Sequence, residues 1–214
     1  MVKLEGQRDG DTEQRILDAA HAVFVRSGTA GARMQEIARE AGVNSALVHY
    51  YFRSKERLAE AVFRRVAGNL LPSVIKVLSS DRDLAAKVQA VVDVELDALS
   101  RAPFIPTYLI SELAHHPERA RQLVSAVTGM VPEEVGRSVL AALQLQIDAE
   151  VAAGAMHPIA PDQFVVNLLS LCIFPFAGRP MLQVLLGIDD EGFKGFIDRR
   201  RIELPSFFMR ALRP

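Results

Sequence analysis

The 214-residue sequence contains one cysteine, Cys172, set in an apolar stretch. An intrachain disulfide and a cysteine-rich zinc site are therefore excluded, and a reducing compartment fits. Without a partner thiol, Cys172 reads as a small buried hydrophobe, since redox sensing would require an exposed, electropositive setting. Long apolar runs are also missing. The richest, residues 164–176, is interrupted by Asn167 and Ser170 and meets Pro175 before its end, well short of the ~20 residues a membrane-spanning helix needs. The first nine residues reach charged side chains within a few positions and lack the apolar centre of a secretory leader. Residues 1–11 are expected to form a flexible tail, and the protein is expected in the cytoplasm with no membrane partner. No glycine-rich phosphate loop and no nucleophile elbow occurs, which argues against an enzyme, and no cofactor is expected. Metal is the lesser reading for His115, His116 and His157, because two adjacent histidines ahead of Pro117 more often mark a helix boundary.

Strand signals are equally scarce. There is no sustained two-residue alternation and no Asn-Gly or Asp-Gly hairpin, whereas apolar residues recur at three- and four-residue spacing from end to end. The fold class is read as all-α. A first helix starting at Thr12 places Ile16, Ala20, Val23 and Phe24 on one face and stops at Ser27-Gly28. A second carries Met34, Ile37, Ala38 and Ala41 inward and ends at Gly42. Asn44 or Ser45 caps a third to about Tyr51, and Ser54 caps a fourth with Leu58, Ala61, Val62 and Val66 inward. Pro72 is expected to kink or end that helix before a further helical stretch to Leu78, and this break is the natural seam between residues 12–66 and residues 67–214. In the second part, Asp83 caps a helix, Pro132 opens a long one ending at Gly154, and Asp162 caps a very apolar one. Three short helices are expected in the tail, over 181–186, 193–201 and 207–212.

A net charge of −1 argues against a nucleic-acid binder, but the charge is unevenly spread. Residues 33–65 hold seven Lys/Arg against four Asp/Glu, leaving 18 against 22 elsewhere. A positive patch on an acidic body suits contact with phosphate at one end. That patch contains two helices joined by Ala41-Gly42-Val43-Asn44, the plan of a helix-turn-helix in which the second helix enters the major groove. Val43 can plug the space between them, and Val48 and Phe52 continue the buried stripe. The outer face of the third helix then carries Ser45, Ala46, His49 and Tyr50, neighbours at four-residue spacing. Their hydroxyls, imidazole and small methyl suit base edges and phosphate. A solvated helix face is the competing reading. Lys55, Arg33 and Gln35 stand at helix starts, where free amides and side chains together attract phosphate oxygens.

The string Ile37-Ala38-Arg39-Glu40-Ala41-Gly42-Val43-Asn44, followed by Tyr51-Phe52-Arg53-Ser54-Lys55-Glu56-Arg57-Leu58, closely resembles the N-terminal domain of the tetracycline-repressor (TetR) family of bacterial transcription regulators. The likeness runs from about Thr12 to Phe63. It implies a three-helix DNA-binding domain and a larger C-terminal domain that dimerises and holds a small-molecule effector, with a repressor binding a near-palindrome in double-stranded DNA as a homodimer. On this sequence, residues 44–50 (Asn44 included) would read DNA and Lys55 would hold phosphate. His49 and Arg33 depart from the family's usual tyrosine and serine or threonine. An activator would use the same head equally well. A helical enzyme or binding module with purely structural N-terminal helices is the alternative of another class.

The second part is less legible. Phe104, Tyr108 and Met181 are candidates to line an effector cavity, against the default that apolar residues at helical spacing are core. Helices over 133–153 and 163–174 are candidates for the dimer interface through Val135, Val139, Leu143, Ile147, Val165, Leu168 and Leu169. The monomer core is the competing reading for the same stripes.

Overall fold

A computed structural model describes residues 2–115 and 119–214, and among them it holds eleven helices and no strand. The N-terminal head comprises α1 (Val2–Gly31), α2 (Met34–Ala41), α3 (Ser45–Phe52) and the first turns of α4 (Lys55–Leu78). The body comprises α5 (Leu84–Arg101), α6 (Ile105–His115), α7 (Arg119–Thr128), α8 (Pro132–Ala152), α9 (Pro161–Ala177), α10 (Arg179–Leu186) and α11 (Asp190–Ala211). His116 and Pro117 lie outside the described residues. Among the described residues no group of three or more metal-ligating side chains occurs, and no single helix is long and apolar enough to cross a membrane.

The head closes on the expected stripe. Ile16, Ala20, Val23 and Phe24 from α1 meet Ile37 and Ala38 from α2, Val48 and Phe52 from α3, and Leu58 and Val62 from α4, all buried. The caps fall where the sequence places them. Asn44 accepts from the Leu47 amide at 2.8 Å, Ser54 from that of Arg57 at 3.3 Å and Asp83 from that of Ala86 at 2.7 Å. Helix α1 breaks at Gly28 (φ 65°, ψ 170°) and adds one further turn. It begins at Val2 and not at Thr12, because the preceding stretch holds no proline to force a break.

Three prolines do not end their helices. Helix α4 runs through Pro72 to Leu78, burying Val74 and Leu78 beyond it. Two such side chains contribute roughly 3–6 kcal/mol of burial, which offsets the ~3 kcal/mol an interior proline costs. Pro175 and Pro205 are themselves buried inside α9 and α11. Beyond Pro205, Phe208 packs edge-on to Phe164 at 5.1 Å. The two tail helices expected over 193–201 and 207–212 are therefore one, α11. Helix α9 starts a residue early, with Pro161 in its first turn, and Asp162 accepts only from the neighbouring Gln163 amide.

Helix α5 is central to the body, with Val88, Val91, Val92, Leu96 and Leu99 buried against α4, α9 and α11. It also buries two charged residues, Lys87 and Glu95. Lys87 donates to the Leu78 carbonyl at 2.7 Å, capping the end of α4, and burial lowers its pKa. The stripes proposed for a dimer interface face inward. Leu143, Ile147 and Leu168 are fully enclosed, Val135 and Val139 are buried, and Val165 and Leu169 pack half-buried against the core. These residues serve the core of one chain, since α8 and α9 turn their richest apolar faces toward each other and the body.

Candidate nucleic-acid interface

The turn between α2 and α3 is fixed from both sides. Gly42 is left-handed (φ 65°, ψ 36°), which lets the Val43 amide reach back to the Ala38 carbonyl at 3.0 Å. From α1, the Arg15 guanidinium donates to the carbonyls of Ala41 at 2.6 Å and Gly42 at 3.2 Å. A Cβ at position 42 would stand 3.1 Å from that guanidinium as well as straining the backbone. Val43 packs against the core as a plug. With Val48 and Phe52 buried, α3 presents Ala46, His49 and Tyr50 to solvent and Ser45 half-exposed; Tyr50 is 74% exposed. The four expected side chains thus share one face. Tyr50 is braced edge-on against Tyr51 at 5.4 Å.

Asn44 is exposed, but its side-chain oxygen is engaged as the cap of α3. Arg33 and Gln35 are exposed at the start of α2, where Arg33 occupies the cap position without making a side-chain cap bond. Lys55 departs from expectation. Its ammonium donates to the carbonyls of Ala30 at 3.0 Å and Ala32 at 3.3 Å, tying the start of α4 to the α1–α2 link. Two of its three protons are committed inside the head, so one remains for phosphate. Glu56 adds a negative charge in the same first turn, its carboxyl held below the usual value by a backbone amide and the Ser54 hydroxyl.

The charge pattern reveals cations that residue-type reasoning missed. Glu36 and Glu40 are drawn to Arg26, at 3.7 and 2.9 Å, and Glu60 to Arg64. Arg33, Arg39, Arg53 and Arg57 are exposed, and their guanidinium groups make no hydrogen bond or ion pair with the described residues. Arg53 is also conformationally unusual. At φ 59°, ψ −44° it is the only non-glycine with positive φ among the described residues, and the Ser54 amide reaches the Phe52 carbonyl at 2.6 Å across it. That is a γ-turn of the strained kind. It is held by the Arg53 amide on the His49 carbonyl (2.8 Å) and by the His49 ring Nδ1 beside the Arg53 carbonyl (3.3 Å). Nothing in residue type signals such a turn.

Residues 16–62 match the family of bacterial regulatory proteins, tetR family. The head belongs to the TetR family. It is similar to the HTH-type transcriptional regulator BetI of Rhizobium meliloti, 35% identical over 106 residues, or 50% of this chain and 51% of that protein. The match therefore spans about half the length of BetI. A longer match, 29% identical over 189 residues, covers 87% of this chain and 85% of the HTH-type transcriptional repressor NicS of Pseudomonas putida. Among solved structures, HlyIIR, a hemolysin II transcriptional regulator, shares the fold with TM-score 0.57 at 24% identity, over 96% of this chain and 99% of that one. The residues matched to the TetR family are the head just described, from the buried Ile16 to the buried Val62.

The body contains an apolar cavity of about 360 Å³ between α4, α5, α6, α7 and α9, walled by residues such as Phe63, Leu99, Ile105, Leu109 and Ile173. None of the three expected pocket residues lines it. Phe104 packs edge-on against His21 and Phe24 of the head, 5.7 Å from each. Tyr108 is buried with its ring 5.6 Å from that of Phe63, and Met181 is exposed on α10.

Proposed function

We propose that this protein is a ligand-responsive repressor that binds a near-palindromic operator in double-stranded DNA as a homodimer in the cytoplasm. Residues 12–66 serve as the DNA-binding head, and residues 67–214 dimerise and hold the effector. One observation carries the reading: an exposed α3 face of Ser45, Ala46, His49 and Tyr50 is flanked by unpaired Arg33, Arg39, Arg53 and Arg57, while the neighbouring Glu36, Glu40 and Glu60 are neutralised internally. Fixed cations set the register on phosphate and the helix face reads base edges. Repressor is preferred to activator because the longest-matching curated relative given above is named a repressor.

The dimer reading moves to α9 and α11. These helices lie side by side, joined by the Arg200 guanidinium donated twice to the Leu171 carbonyl at 3.0 and 2.7 Å. They leave Val166, Phe174, Ile202 and Phe207 more than half exposed. Single exposed apolar side chains are ordinary, whereas several on adjoining helices favour a covered face. Operator binding requires that the two-fold contact hold the two α3 helices roughly 34–36 Å apart, the spacing of successive half-sites.

The test is binding of the purified full chain to DNA flanking its own gene, titrated against salt, alongside a Tyr50→Ala, Arg39→Ala variant. Selective binding with a steep salt slope that weakens in the variant is expected. Equal binding to every fragment, unchanged in the variant, would refute the reading. Transcription from the bound promoter should fall when the protein is supplied, and a rise would make it an activator.

A further inference from the structure

We infer that the body cavity takes a hydrophobic amine, with Glu95 receiving its ammonium group. This names the effector class within the ligand-responsive reading and rests on that reading only for its regulatory meaning. Among the residues lining the cavity, Glu95 is the one that is not apolar. It is 5% exposed, and its Oε2 atom is buried with no hydrogen-bond partner.

The contrast with Lys87 on the same helix is informative. That second buried charge is satisfied by the Leu78 carbonyl, whereas Glu95 Oε2 has no such partner. A carboxylate oxygen without a partner is costly, and here it borders a space large enough for a small ligand. Among the described residues none supplies a cation to it. Its ionisable neighbour is Cys172, whose thiol burial pushes up to about 12 and so keeps neutral; Arg200, which neighbours that thiol, has its guanidinium committed to the Leu171 carbonyl. Arg201 on the same α11 is bound to Asp93 and Asp97.

The chemistry of the missing partner follows. An ammonium group offers three donors and a charge opposite to the carboxylate, giving charge-assisted bonds in an apolar surrounding. A hydrocarbon of the same shape would leave Oε2 unpaired. A carboxylate would bring like charge to the one polar point of the wall. The apolar walls supply the remaining affinity through burial of a hydrocarbon or aromatic portion.

The experiment is calorimetric titration of the full-length protein at about pH 8, above the Glu95 range, with phenylbutylamine, phenylbutyrate and butylbenzene as probes. The amine is expected to bind at least about tenfold more tightly than either analogue. Glu95→Gln should remove that preference while leaving butylbenzene binding unchanged, which shows that the cavity is intact. Equal affinity for all three probes, a preference that survives Glu95→Gln, or no binding of any probe to the parent would overturn the inference. DNA affinity measured with and without the amine is read separately. Amine binding that leaves DNA affinity unaltered would uphold the Glu95 assignment and defeat the ligand-responsive function.

Discussion

Replacing Arg53 by glycine should make the protein more stable and a poorer DNA binder at once. The γ-turn at Arg53 (φ 59°, ψ −44°) places an L-residue where strain of about 1–3 kcal/mol is usual. Glycine relieves that strain but adds roughly 0.5–1 kcal/mol of conformational entropy to the unfolded chain. The net gain is on the order of 1 kcal/mol, a rise in Tm of about 2–4 °C for a chain of this size. The bonds that hold the turn use the backbone of position 53, so glycine keeps them. The guanidinium is lost, and with it one cation per protomer, so the log–log salt slope of DNA binding should become shallower by about two per dimer. Arg53→Ala separates the effects, because it removes the cation and keeps the strain. It should match the glycine variant in DNA binding and the parent in Tm, with protomer concentration held fixed throughout. A glycine variant that melts below the parent, or an alanine variant that gains as much stability, would show that the turn is not strained.

Further outcomes follow from other residues. Burial pushes the Glu95 carboxyl up to about 7 from the ordinary glutamate value of 4.5, so between those values the folded state holds a proton that the unfolded chain has released. Parental stability relative to Glu95→Gln should therefore fall as pH rises from about 4.5 to about 7, by on the order of 3 kcal/mol; parallel urea titrations with a constant difference would contradict this. Lys87→Met keeps the apolar stem but leaves the Leu78 carbonyl unpaired, and urea unfolding should register a loss of about 1–3 kcal/mol. Phe174→Glu together with Ile202→Glu places charge on the exposed α9–α11 face and should yield a folded monomer in sedimentation velocity. An unaltered dimer would move the interface elsewhere.

The head was legible because its signals are local. Gly42, Asn44 and Ser54 act within four residues of themselves, and the stripe from Ile37 to Phe52 follows one period. The structural bonds of Lys55 were not legible because its carbonyl partners at Ala30 and Ala32 lie more than 20 residues away in sequence. The prolines were misread for a related reason. Pro72, Pro175 and Pro205 are penalised locally, and the burial that offsets the penalty comes from helices distant in sequence. In the body, periodicity shows that Leu143 and Leu168 are apolar and face something. Only the assembled chain tells whether that something is its own core or a second copy. Glu95 stands in sequence between valine and leucine, and its isolation is purely a matter of three-dimensional placement.

Helix α4 is continuous from Lys55 to Leu78, and Pro72 comes after the part that joins head to cavity. Phe63, Leu70 and Leu71 form part of the cavity wall, and Lys55, at the other end of the same uninterrupted helix, is pinned to the α1–α2 link. From Leu70 to Lys55 is a lever of roughly 22 Å at the α-helical rise. A ligand that swelled the cavity would press on this rod, and any tilt of it would carry the head fastened to its tip.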